Sequence, residues 1–125
     1  MKNVVATKKA PAAIGPYSQA IEYNGVLYVS GQIPVNPESG AVEAETIEGQ
    51  AEQSLKNVGA ILKESGLTYE NVLKTTCFIA DMGDFAKFNE VYAKYFKEDA
   101  PARSCVAVKD LPKGVLCEVE VVAGK

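Results

Sequence analysis

Residues 101–121, PARSCVAVKDLPKGVLCEVEV, read as two short strands around a tight turn. With period two, Ser104, Val106 and Val108 alternate against Arg103, Cys105 and Ala107. Beyond the turn, Val115, Cys117, Val119 and Val121 alternate against Leu116, Glu118 and Glu120. The segment between is turn chemistry, since Pro112 fixes one backbone angle and Gly114 admits a positive one. Pairing the apolar positions across it sets Val108 against Val115 and Val106 against Cys117. That register predicts a hairpin with one core face and gathers Arg103, Cys105, Glu118 and Glu120 on the other.

Upstream, residues 3–7 read as a short strand, followed by a loop rich in Pro, Ala and Gly. Residues 19–23 and 26–33 form a predicted hairpin around Asn24-Gly25, a strong short turn signal. Helical spacing of Ile47, Ala51, Leu55, Val58, Ile61 and Leu62 predicts a helix from Thr46 to Ser65, stopped at Gly66. Residues 71–80, rich in Val, Thr, Cys, Phe and Ile, read as a strand. A second helix is expected from an Asp84 N-cap to Phe96, with Phe85, Phe88, Tyr92, Tyr95 and Phe96 on one stripe. This order implies an α+β domain over residues 1–125, a mixed β-sheet with two helices packed on one face.

Alternation places Leu27, Val29, Ile33, Leu73, Cys77, Ile79, Val106, Val108, Cys117, Val119 and Val121 beneath those helices. Tyr28, Ser30, Gln32, Thr76, Phe78, Arg103, Cys105, Ala107, Leu116, Glu118 and Val122 are expected opposite. That second face is neither a charged solvent face nor a full core. Two helices cover one side of a sheet, so the other is expected to meet a further subunit.

Composition narrows the chemistry. At 125 residues, 47% hydrophobic and 23% charged, the chain has the makeup of one globular domain rather than of a disordered segment. No apolar run approaches the ~20 residues that span a bilayer. The opening MKNVVATKKAP has no hydrophobic signal core, so a cytoplasmic location is expected. The 3 cysteines cannot all pair and none lies in a Cys-x-x-Cys motif, so reduced thiols are expected. With 0 histidines, Ser-His-Asp and Cys-His nucleophilic machinery and the common zinc constellations are excluded. Proton transfer then rests on carboxylates, tyrosine, backbone or water. A net charge of −3, with Lys8-Lys9 the one adjacent lysine pair, speaks against nucleic acid as the main partner.

Within the predicted face, Arg103 presents a planar fork of donors that matches a carboxylate at two points. It is open whether that fork is spent on Glu120 as a cross-strand ion pair or reserved for a ligand. Cys105 is a nucleophile or a small filler whose backbone faces a cavity. Ser30-Gly31 lies at a strand end where glycine admits close approach of another backbone or a ligand. Tyr17 anchors its loop or lines a site. Asn89 falls within the apolar stripe of the second helix and is a packing pin or a cavity-lining amide. Because that stripe faces the helix side, Asn89 can join Arg103 only at a sheet edge or across a subunit boundary.

The segments GPYSQAI, YVSGQIP, QAEQSLKNV, VLKTTCFIAD, DFAKFNEVYAKYF, PARSCVAV and CEVEVVA resemble, in order and over nearly the whole length, the RidA/YjgF family of enamine/imine deaminases. The resemblance implies a chorismate-mutase-like fold and a homotrimer with its sites between subunits. It implies hydrolysis of 2-iminopropanoate, 2-iminobutanoate and related 2-imino acids to 2-keto acids and ammonia, without cofactor or metal. Carried over residue by residue, Arg103 binds the substrate carboxylate and Glu118 positions or activates water. Cys105 contacts substrate through its backbone, while Tyr17, Ser30, Gly31 and Asn89 line the pocket. Two other readings accompany it: a regulatory trimer that binds a keto acid without turnover, and an endoribonuclease.

Overall fold

The computed structural model describes the whole chain, Met1–Lys125. Its elements run β1 (Asn3–Val5), β2 (Ala20–Tyr23), β3 (Val26–Gln32), α1 (Ile47–Glu64), β4 (Val72–Ile79), α2 (Phe85–Tyr95), β5 (Ala102–Ala107) and β6 (Cys117–Gly124). Both helices and the mixed sheet are as the periodicity predicts. No helix is long and apolar enough to cross a membrane.

Local chemistry explains most boundaries. Asn24 and Gly25 take φ of 51° and 78°, the left-handed pair that a two-residue hairpin turn requires. Thr46 caps α1 by accepting from the Gly49 amide at 3.1 Å. At the other end Gly66 adopts φ 74°, Gly66 N–H donates to Lys63 O and Leu67 N–H to Leu62 O. These two bonds satisfy carbonyls that the end of a helix leaves unpaired. Asp84 precedes α2 but its side chain makes no capping bond. Asp81 instead caps the tight turn before it, accepting from the Gly83 amide at 2.8 Å.

The sheet order is β1-β2-β3-β6-β4-β5, and the C-terminal hairpin does not form. β5 runs parallel to β4, and β6 lies antiparallel between β3 and β4. The cause is the crossover through α2, which returns the chain beside β4 in the same direction. The slot between β3 and β4 is then left for the last strand. Thr75 is level with both Arg103 and Val121, Cys77 with Cys105 and Val119, and Phe78 with Val106 and Glu118.

This register overturns the predicted grouping. Arg103 and Cys105 share the helix side with buried Thr75 and Cys77, while Glu118 and Glu120 project from the open face with Phe78 and Thr76. Val106 is correspondingly exposed at 45% rather than core. Two irregularities shift parity elsewhere. A bulge in β3 between Val29 and Gln32 turns Gln32 inward, and one in β4 between Val72 and Lys74 turns Leu73 outward, 57% exposed.

The core lies between sheet and helices, where Leu55, Val58, Ile61 and Leu62 of α1 pack with Leu27, Cys77, Ile79, Phe88 and Val119. Buried amides fasten loops to it. Gln19 Nε2 donates to Thr7, Ala10 and Pro11 carbonyls, and Asn57 Nδ2 to those of Ile33 and Val35. Gln50 Oε1 accepts from the Leu116 amide at 2.7 Å, which fixes the entry of the chain into β6.

Candidate active site

At the free edge of the sheet, β5 holds Arg103 beneath α2. Phe85, Asn89 and Tyr92 are spaced i, i+4, i+7, so they lie on one face of the helix. Arg103 Nη1 donates to Asn89 Oδ1 at 2.7 Å. The guanidinium carbon stands 4.6 Å from the Tyr92 ring centre and 5.5 Å from that of Phe85. The one ion pair in the chain joins Lys125 to Glu22, so Arg103 has no carboxylate partner, and the anticipated Arg103–Glu120 pair is absent. Most of a planar donor fork is therefore oriented but unspent, ready for an anion with two acceptor oxygens.

Cys105 lies two residues along the same face, half-buried, with its thiol raised by burial and lowered to a lesser degree by Arg103. Burial pushes the Cys77 and Cys117 thiols up to about 12. Thiols held protonated are poor nucleophiles, and the backbone role of Cys105 fits this setting better than attack by sulfur.

A second group of residues stands on the opposite face. The β3 bulge places Ser30 and Gly31 against the single residue Glu120 of β6, beside the half-buried Glu118. A Cβ on Gly31 would collide with the Glu118 carboxylate, so glycine creates the space in which that group sits. Burial raises the Glu118 carboxyl above its ordinary value, and the neighbouring Glu120 raises it further. Ser30 Oγ donates to Ser18 O at 2.6 Å, tying the bulge to the loop that carries Tyr17. Tyr17 is 53% exposed and lines three hollows, of which one of about 420 Å³ has Ser30 beside it and one of about 560 Å³ has Gly31. None of the three is lined by Arg103, Cys105 or Asn89.

The seven predicted residues thus fall into two clusters. Asn89, Arg103 and Cys105 gather at the β5 edge beneath α2, while Ser30 and Gly31 stand beside Tyr17 on the open side, with the Glu118 carboxylate against Gly31. Asn89 meets Arg103 because β5 carries Arg103 on the helix side itself, which removes the separation that the predicted faces imposed. Sequence reasoning treated Phe85 and Tyr92 as core aromatics and did not single out Thr75. Their signal was the spacing of 85, 89 and 92 around an amide, which marks a face with a polar guest.

The sequence profile of the family described as Endoribonuclease L-PSP matches residues 7–125. Among curated proteins the chain is similar to Reactive Intermediate Deaminase A, chloroplastic, of Arabidopsis thaliana, 51% identical over 122 residues, 98% of this chain and 65% of the relative. It is similar to 2-iminobutanoate/2-iminopropanoate deaminase of Mus musculus, 46% identical over 123 residues, 98% of this chain and 91% of the relative. A Pyrococcus horikoshii relative, 49% identical over 100% of this chain and 99% of its own, is named only as a RutC family protein. The crystal structure of the E. coli YjgF gene product matches with TM-score 0.94 and 46% identity over 98% of each chain. That of E. coli TdcF with bound serine matches with TM-score 0.94 and 44% identity, again over 98% of each.

Proposed function

The chain belongs to the RidA/YjgF family, and from that membership we propose that it hydrolyses small 2-imino acids to 2-keto acids and ammonia. The observation that carries this reading is the state of Arg103, a guanidinium oriented by Asn89 and two aromatic rings with no carboxylate of its own. A 2-imino acid offers the missing carboxylate next to its reactive carbon. Serine, bound in the E. coli TdcF structure, likewise carries a carboxylate and a nitrogen on one carbon.

In the proposed reaction Arg103 holds the carboxylate of the protonated imine, and the Cys105 backbone faces its nitrogen-bearing end. Glu118 accepts a proton from water as its oxygen bonds to the imine carbon, giving a tetrahedral carbinolamine. The same proton passes to nitrogen, the C–N bond breaks to release ammonia, and Glu118 takes the hydroxyl proton and returns it to that ammonia, leaving a keto acid and ammonium. Such a shuttle works best when the carboxyl titrates nearer to neutrality, the direction in which burial moves Glu118. An imine that already hydrolyses in water needs only positioning and one base.

Arg103 and Glu118 belong to opposite faces of the sheet, so the reading requires Arg103 of one copy beside Glu118 of another. A homotrimer with its sites between subunits meets that requirement. The apolar groups Tyr28, Leu73 and Val106, each about half exposed, support burial against a second copy. The family description names a nuclease, but a net charge of −3 with scattered lysines supplies no basic track for RNA.

The test is imine decay in a coupled threonine dehydratase reaction. Wild type is expected to accelerate it, and Arg103→Ala to lose about a hundredfold while still folding, the loss expected for a charge-assisted fork. Unchanged acceleration by Arg103→Ala removes Arg103 from the mechanism. Wild type that binds 2-ketobutyrate without accelerating decay identifies a binding protein instead.

A further inference from the structure

We propose that Tyr92, locked by Thr75, is a positioning residue that sets the plane of the Arg103 guanidinium for the substrate carboxylate. The inference rests on the reading of Arg103 as the carboxylate anchor.

The Tyr92 and Thr75 hydroxyls are 2.7 Å apart in the interior, with Thr75 0% and Tyr92 7% exposed. A phenylalanine at 92 would supply the same aromatic surface without a buried hydroxyl, which is costly unless paired. The ring already packs against Phe96 and Phe88, with centroids 4.6 and 6.0 Å apart, and the hydroxyl pair adds a directional restraint on its tilt. Arg103 is the residue level with Thr75 across β4 and β5, and its guanidinium lies over that ring at 4.6 Å. Asn89 holds one end of the fork at 2.7 Å and Phe85 flanks it at 5.5 Å. A long arginine side chain otherwise loses rotamer freedom when it binds an anion. Held in place beforehand, it loses that freedom on folding, and the ligand meets a prepared plane.

The measurement is calorimetric titration of 2-ketobutyrate into wild type, Tyr92→Phe, Tyr92→Leu, Thr75→Val and Arg103→Lys. Arg103→Lys keeps the charge, so binding stays measurable while the plane is gone. Tyr92→Leu is expected to weaken binding about tenfold, and Tyr92→Phe and Thr75→Val about threefold each, through a guanidinium left free to swing. On the Arg103→Lys background the same changes are expected to cost nothing further, which a general loosening of the fold would not produce. Thermal melts identify any variant that fails to fold, and Tyr92→Phe carries the test if Tyr92→Leu does. Wild-type affinity in Tyr92→Phe and Thr75→Val, or equal losses on both backgrounds, overturns the proposal while Arg103 keeps its role. Wild-type affinity in Arg103→Ala overturns the anchor reading, and this inference with it.

Discussion

Arg103 and Glu118 stand on opposite faces of one sheet, with β4 between their strands. Thr75 is level with Arg103 and points into the core, whereas Phe78 is level with Glu118 and points away from it. On the proposed reading, a site that uses both groups draws them from two copies of the chain. Mixing unfolded Arg103→Ala and Glu118→Gln chains and refolding them together tests this directly. Neither variant alone is expected to accelerate imine decay. Random co-assembly should restore about a quarter of the sites, those with an intact arginine from one chain and an intact glutamate from its neighbour. No recovery in verified mixed assemblies places both groups in the same chain's site or removes one of them.

Gly31 supplies a second, sharper probe. Its backbone is not in the left-handed region, so alanine is tolerated conformationally, yet its Cβ would strike the Glu118 carboxylate. Glu118 is half-buried at the open face and can swing aside. Gly31→Ala is thus expected to melt within about 1 kcal/mol of wild type while losing at least tenfold in imine hydrolysis. Unaltered turnover in a folded Gly31→Ala protein dissociates the Glu118 position from the chemistry.

The strands and helices were legible because their signals are local. Alternation, the Asn24-Gly25 turn, the Thr46 cap and the Gly66 stop each depend on neighbours in sequence. Which strands adjoin is not local. The segment 109–116 carries good turn residues whether its flanking strands pair with each other or straddle a third. The β4–α2–β5 crossover decides for the latter. Because side chains alternate along a strand, that one change moved Arg103 and Cys105 to the face opposite Glu118. The bulge at Ser30-Gly31 was invisible for a similar reason, since an extra residue alters parity only against a partner strand. Residue type and pattern single out the seven site positions, and the family resemblance assigns their roles. The aromatic shelf under Arg103 emerged only once α2 was laid over β5.

Asn57 exposes how loops are fastened to this frame. Its amide donates to Ile33 and Val35 carbonyls at 3.1 and 3.0 Å and accepts from Gln53 Nε2 at 2.9 Å, at 1% exposure. Asn57→Ala takes the amide donor from the buried Val35 carbonyl, leaves the Ile33 carbonyl with the Val35 N–H alone, and opens a small void. The expected loss is roughly 2 kcal/mol, or about 5–10 °C in melting temperature at fixed protein concentration. A melt within about 1 °C of wild type shows that water replaces the amide without penalty.

Glu118 ties the chemistry to pH-dependent stability, and the sign follows from its surroundings. Burial and Glu120 raise its carboxyl in the folded state, so the fold holds the proton more tightly than the unfolded chain does. Below the unfolded pKa both states are protonated and the group has no effect. As pH rises through the window between the unfolded and folded values, ionisation subtracts stability, and above that window the deficit is constant. Glu118→Gln removes the charge and keeps the shape. It is expected to match wild type in acid melts, to become the more stable protein as pH passes through that window, and to lose imine hydrolysis throughout. In wild type, turnover should fall as the pH drops through the same raised value, because only the ionised carboxylate can take a proton from water. A Glu118→Gln protein less stable than wild type at neutral pH would mean that the carboxylate is held by favourable partners, and its elevated proton affinity, with the shuttle built on it, would be wrong.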